Sequence, residues 1–132
     1  MKEIRYKDDT VAIIHCNSDW KEGLDFLTPD QTFIQVGTWW YQNGKSLKAH
    51  RHKINGRVTE RTQESVIVIN GSLRIDFYDD HNNIFQSEIL KAGDIGIILT
   101  VGHGYQILED NTKTIEVKNG PFISVEKDKE LI

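Results

Sequence analysis

Cysteine is nearly missing from this 132-residue chain. Cys16 stands alone, so no internal disulfide can form and nothing calls for an oxidising compartment. A basic excess is missing too. The formal charge of -4 argues against bulk electrostatic binding to DNA or RNA and favours small molecules or other proteins as partners. No window approaches the ~18 consecutive apolar residues of a membrane helix. The opening Met1-Lys2-Glu3-Ile4-Arg5-Tyr6-Lys7-Asp8-Asp9 has no apolar run after its charges, so it does not read as a secretory signal. Helical periodicity is almost absent, and only Ser18 to Phe26 suggests a short helix or turn, weakened by Gly23. The expectation is a soluble, cytoplasmic, single domain over residues 1–132, with no membrane or nucleic-acid partner. A hydrophobic fraction of 38% with 9% aromatics supplies the apolar surface that a disordered chain lacks.

What the chain does have is strand text. Short runs rich in Val, Ile, Thr and aromatics predict strands near Val11–His15, Thr32–Gln42, Ser46–His52, Glu64–Asn70, Leu73–Tyr78 and Ile84–Leu90. Four more are predicted near Ile95–Thr100, Tyr105–Leu108, Thr112–Lys118 and Phe122–Val125. Turn residues punctuate them. Asn70-Gly71 reads as a type I′ hairpin turn, and 79–83, 91–94, 110–111 and 119–121 mark further reversals. Many short strands without intervening helices imply an all-β, antiparallel fold, a sandwich or barrel. The end of the chain, 127–132, is a charged tail expected to fray.

Five histidines are present, and His50-Arg51-His52 is the informative pair. On a strand, residues i and i+2 point the same way, so two imidazoles so spaced can converge on one metal ion. Glu64 begins an otherwise apolar strand and shares a face with Val66 and Val68. If those valines face the core, so does the carboxylate, which is costly unless paired or bound to a cation. His103 stands between Gly102 and Gly104 after the apolar run Ile95–Thr100, and Tyr105 shares its face. His81 lies in a turn cluster and reads as a surface residue, while His15 and Cys16 end an early strand and read as packed.

The pattern Gly44-x5-His50-x-His52, Glu64-x6-Gly71, then Gly93-Asp94 leading to His103, resembles the two motifs of the cupin superfamily over about 44–107. The resemblance implies a cupin-type double-stranded β-helix, a jelly-roll barrel, with His50, His52, Glu64 and His103 holding one divalent transition metal (Mn, Fe, Co, Ni or Zn). The chain departs from the family in having eleven residues between His52 and Glu64, Leu99 where a proline is usual, and its second-motif histidine one residue early. The run from Gly102 to Asp110 is similar to that of small cupins associated with surface-polysaccharide synthesis.

Around this site, Lys48 falls on the strand face of His50 and His52, and Arg57 and Arg61 border the inserted loop. With Lys45 and Lys53 they form a basic mouth suited to an anionic ligand. Gln35, Trp39 and Tyr41 share one face and are candidate substrate contacts; Lys48 and Tyr105 are candidate proton carriers. Three readings remain open. One is a metal-dependent enzyme acting on a small polar anionic substrate of the sugar or nucleotide-sugar class, isomerase-, epimerase- or oxygenase-like. The second is a non-catalytic metal-containing binding or sensor module. The third is a metal-free sugar isomerase or epimerase with a histidine base. A homodimer is expected, because open sheet edges and exposed aromatic faces need covering.

Overall fold

A computed structural model describes residues 1–132. Ten strands form: β1 (Lys2–Tyr6), β2 (Asp9–His15), β3 (Gly23–Phe26), β4 (Gly37–Trp40), β5 (Glu64–Asn70), β6 (Ser72–Tyr78), β7 (Ile84–Lys91), β8 (Ile95–Ile98), β9 (Gly102–Ile107) and β10 (Lys113–Lys118). A single 3₁₀ turn covers Asn17–Asp19, and one helical turn, α1, covers Val125–Asp128. All strand pairs are antiparallel. Three sheets result, ordered β1-β2-β8-β5-β10, β7-β6-β9 and β3-β4, and none closes into a barrel.

The central five-stranded sheet is covered on both faces. Alternation along β5 sends Val66 and Val68 to one side, where they pack with Ile4, Ile14, Leu73, Ile75, Phe77 and Leu90 against the three-stranded sheet. The intervening Ile67 joins Ile13, Ile95 and Ile97 on the other side, beneath Leu27 and Ile34 of the loop between β3 and β4. Strands buried on both faces read as continuous apolar runs, which is why Ile95–Leu99 shows no polar alternation. Gly96 eases the close approach of the sheets there: a Cβ would come within 2.7 Å of Ile75 Cδ1 and 3.1 Å of Leu90 Cδ2, and both side chains would have to shift.

From β5 onward the chain passes repeatedly between the two large sheets. Asn70-Gly71 is therefore no hairpin turn. It is a corner, since β5 pairs with β8 and β10 whereas β6 pairs with β7 and β9. Only Gly71 takes a positive φ (75°); Asn70 does not, so the type I′ expectation fails in its conformation as well. The 79–83 cluster does close the β6–β7 hairpin, with Asp79 Oδ1 accepting from the backbone N–H of His81 and of Asn83. Asp94 secures the 91–94 corner by accepting from the N–H of Lys91 and of Asn17.

Several expectations need correction. β1 and β3 were not anticipated by the sequence pattern, and the strand expected over Thr32–Gln42 shrinks to β4. No strand forms over Ser46–His52: residues 41–61 are exposed throughout and pair with nothing regular. Their six Lys and Arg residues against Glu60 alone give the segment no apolar face to bury. Phe122–Val125 is not a strand either. At the start of the charged tail, Asp128 accepts from the Thr62 hydroxyl and Lys129 N–H bonds Val125 O at 2.8 Å.

Candidate functional site

The most concentrated polar chemistry lies where the two large sheets face each other. Glu64 enters from the first position of β5 on the same face as Val66 and Val68, and only 7% of its side chain is exposed. Lys118 stands directly across the β5–β10 ladder from it. His103 and Tyr105 project from β9 in the opposing sheet, paired in register with Phe77 and Ile75. The four side chains meet across the gap between the sheets.

Glu64 Oε1 accepts from His103 Nε2 at 2.8 Å and from the Tyr105 hydroxyl at 2.7 Å. Its other oxygen, Oε2, lies 3.0 Å from the Lys118 ammonium, which also reaches Glu116 Oε1 at 3.1 Å. His103 Nδ1 faces the Val101 carbonyl at 3.1 Å. Both ring nitrogens thus face acceptors, an arrangement that favours the doubly protonated imidazolium. The inward carboxylate is satisfied by an ammonium, an imidazole and a phenol of the chain itself.

The electrostatics follow from this packing. Burial pushes the Glu64 carboxyl up, but hydrogen bonds from His103, Tyr105 and Lys118 outweigh it and hold the carboxyl well below the usual range. Burial also works against the charged form of His103, yet the Glu64 carboxylate prevails and raises its pKa above the ordinary 6.5. Tyr105 is pushed far up by burial and by the adjacent carboxylate, so its hydroxyl stays protonated. Lys118 is raised by its two carboxylate partners despite partial burial. Below the raised His103 value the centre holds imidazolium, carboxylate, phenol and ammonium, and Tyr105 is 39% exposed.

The structure therefore brings together Glu64, His103 and Tyr105 but leaves His50 and His52 apart from them. The two imidazoles lie side by side, ring centroids 5.2 Å apart, on the exposed 41–61 segment, where His50 Nδ1 bonds the Lys48 carbonyl at 3.0 Å. No group of three or more His, Cys, Asp or Glu side chains is gathered closely enough to hold a metal ion. With both Glu64 oxygens already engaged, this arrangement does not fit the four-ligand centre. Lys48, Arg57 and Arg61 are exposed on the same segment and share no strand face with the histidines. Gln35 lies outside β4, its amide turned back onto its own loop to bond the carbonyls of Pro29 and Thr32, each at 3.0 Å. Trp39, Trp40 and Tyr41 all line one cleft, and Tyr41 lies just beyond the end of β4. His15 is buried and His81 exposed, as their settings suggest.

Lys118 was missed by sequence reasoning. Its signal was the alternation Thr114, Glu116, Lys118, a polar face at period two on a strand whose other face carries Ile115 and Val117. No family model, curated protein or solved structure matches this chain.

Proposed function

We propose that this chain is a cupin-type cytoplasmic protein that binds a small polar anionic substrate, of the sugar or nucleotide-sugar class, at the mouth formed by Glu64, His103, Tyr105 and Lys118. The observation that carries the reading is a buried carboxylate shared by an imidazole, a phenol and an ammonium, each of which keeps part of its surface in solvent. The adjoining 41–61 segment supports it. Lys45, Lys48, Arg51, Lys53, Arg57 and Arg61 form no ion pair with any carboxylate, a local positive field in an otherwise acidic protein that attracts anions.

An oxyanion arriving at this mouth meets two cationic donors. Lys118 offers a positive charge, and His103, its pKa raised above 6.5 by Glu64, offers a proton. Glu64 orients the ring and stabilises its charged form. Tyr105 remains a neutral hydrogen-bond donor. When a ligand carbonyl oxygen replaces one of the two acceptors of His103, the imidazolium passes it a proton while water takes the proton from the adjacent carbon, giving the enol shared by isomerisation and epimerisation, and the two transfers reverse to form product. The experiment is binding of sugar phosphates and nucleotide sugars by calorimetry, with deuterium uptake from solvent followed by proton NMR. Saturable binding with deuterium incorporation, both reduced by His103→Gln, is expected. Binding without incorporation identifies a ligand-holding module, and no binding to any member of the panel contradicts the reading.

A second reading retains the metal. It rests on the juxtaposed His50 and His52 rings alone, an exposed pair of imidazoles separate from the Glu64 cluster. Elemental analysis of wild type and of the His50→Ala/His52→Ala protein tests it. Stoichiometric transition metal lost on the double change supports this reading, and its absence from wild type removes it. A homodimer is part of the proposal, supported by the exposed Ile115 and Val117 on the open edge strand β10. Light scattering showing a monomer removes that part.

A further inference from the structure

All three tryptophans of the chain gather at one place, remote in the fold from the Glu64 site. Trp20, Trp39, Trp40 and Tyr41, with Asn17 and Ser18, line a cleft of about 470 Å³. The 3₁₀ turn after β2 supplies one wall and the end of β4 the other. Gly23 pairs with Trp40 in the β3–β4 ladder and brings no side chain of its own beside the indole. Trp39 is 59% and Trp40 47% exposed, so large apolar rings that burial would normally claim stand open to water.

Two buried polar groups lie behind the aromatic wall. Trp20 Nε1 is buried without a hydrogen-bond partner, and it belongs to a residue lining the cleft. Behind it, His15 packs edge-on against the indole at 5.9 Å and is 1% exposed, with both ring nitrogens unpartnered. Both groups are shielded from solvent, so recognition in the cleft rests on its exposed aromatic faces and on the Asn17 and Ser18 side chains. The Lys45 ammonium already lies 5.6 Å from the Tyr41 ring centroid, so the cation-attracting face at that rim is taken by the chain itself.

We infer that this cleft is a carbohydrate-binding site, which takes a neutral pyranoside ring. Aromatic faces pack against the C–H face of a sugar, while the Asn17 amide and Ser18 hydroxyl meet its hydroxyl groups. No lining residue is charged, which suits a neutral sugar better than an anion. The volume lies within the range of small-molecule sites, roughly 300–1,000 Å³. The cleft lies on the side of the central sheet that carries His15 and Ile13, opposite the face that carries Glu64. This inference is independent of the function proposed for the Glu64 site.

Because every tryptophan lines the cleft, intrinsic emission reports on it directly. The full-length protein is titrated with methyl β-D-glucopyranoside, methyl α-D-galactopyranoside, methyl α-L-rhamnopyranoside, N-acetylglucosamine and cellotriose. A saturable change in emission is expected with at least one of them, with a dissociation constant on the order of 1 mM. Trp39→Ala should weaken binding about tenfold or more, equivalent to about 1.4 kcal/mol. Tyr41→Ala, a smaller change at an exposed position, should weaken it as well and guards against a folding defect in the first variant. The inference is overturned if no probe gives a saturable change, or if both variants bind as tightly as wild type. It is overturned equally if Trp39→Ala dissociates a dimer while no sugar binds.

Discussion

Lys118 and Glu64 occupy facing positions on adjacent strands, and their charged groups meet 3.0 Å apart inside the space between the sheets. The pair ties β10 to β5, while His103 and Tyr105, bonded to the same carboxylate, tie β9 and the opposing sheet to them. Polar contacts here do what apolar packing does elsewhere in the sandwich. Lys118→Met should cost about 1–3 kcal/mol, because the buried carboxylate loses a charged partner without gaining another. Urea denaturation measures it, and a loss below about 0.5 kcal/mol would show that the ammonium contributes little.

Removing the carboxylate should be more damaging than removing any one donor. Glu64→Ala leaves the imidazolium without a carboxylate and the Lys118 ammonium with Glu116 alone, with an expected cost of about 3–5 kcal/mol. Glu64→Gln, which keeps an acceptor oxygen, should cost less. The order Ala worse than Gln worse than wild type in urea midpoints is the expected outcome.

The same cluster sets a pH window. Glu64 has a lowered pKa in the folded state, so its contribution is whole above its ordinary value of 4.5 and fades as pH falls through the folded value. His103 has a raised pKa, so its contribution is whole below 6.5 and fades as pH rises through the folded value. The pair should therefore stabilise the fold most between about pH 4.5 and 6.5 and less on either side. Thermal midpoints across pH should show the alkaline decline in wild type and a shallower one in His103→Gln.

At the corner between the sheets, Gly71→Ala should be destabilising. The residue holds φ at 75°, and a Cβ would stand 2.9 Å from Thr112 Cα, a backbone atom that cannot swing aside. The left-handed conformation alone costs an L-residue about 1–2 kcal/mol, and the clash adds to it. Gly44→Ala provides the contrast. It shares a positive φ, 87°, but meets nothing within 4 Å, so only the conformational part should appear.

His50→Ala and His52→Ala, taken singly or together, should leave stability in metal-free buffer within about 0.5 kcal/mol of wild type, since both rings are exposed on a segment outside the sheets. A larger loss in urea denaturation would mean that the segment packs against the fold.

The strands around the site were legible in the sequence because each carries its own pattern. β5 through β8 and β10 read directly from apolar runs and turn residues, and the Glu64–Val66–Val68 face follows from period-two alternation alone. What the residues between 41 and 61 do was not legible, because i, i+2 spacing of histidines carries meaning only on a strand, and strand formation needs partners that local sequence does not name. The same limit hid the corner at Asn70-Gly71. A turn dipeptide announces that the chain reverses, not whether the next strand joins the same sheet. Lys118 escaped for a related reason: its role exists only once β10 has been placed beside β5.

The central claim is that Glu64 holds His103 as a proton-bearing cation at the mouth between the sheets. A nitrogen-15 NMR titration of the five histidine rings tests it most directly. One ring should keep both N–H protons above pH 6.5, and Glu64→Gln should lower the midpoint of that ring alone. If no ring does so, or if Glu64→Gln leaves every midpoint in place, the account is contradicted.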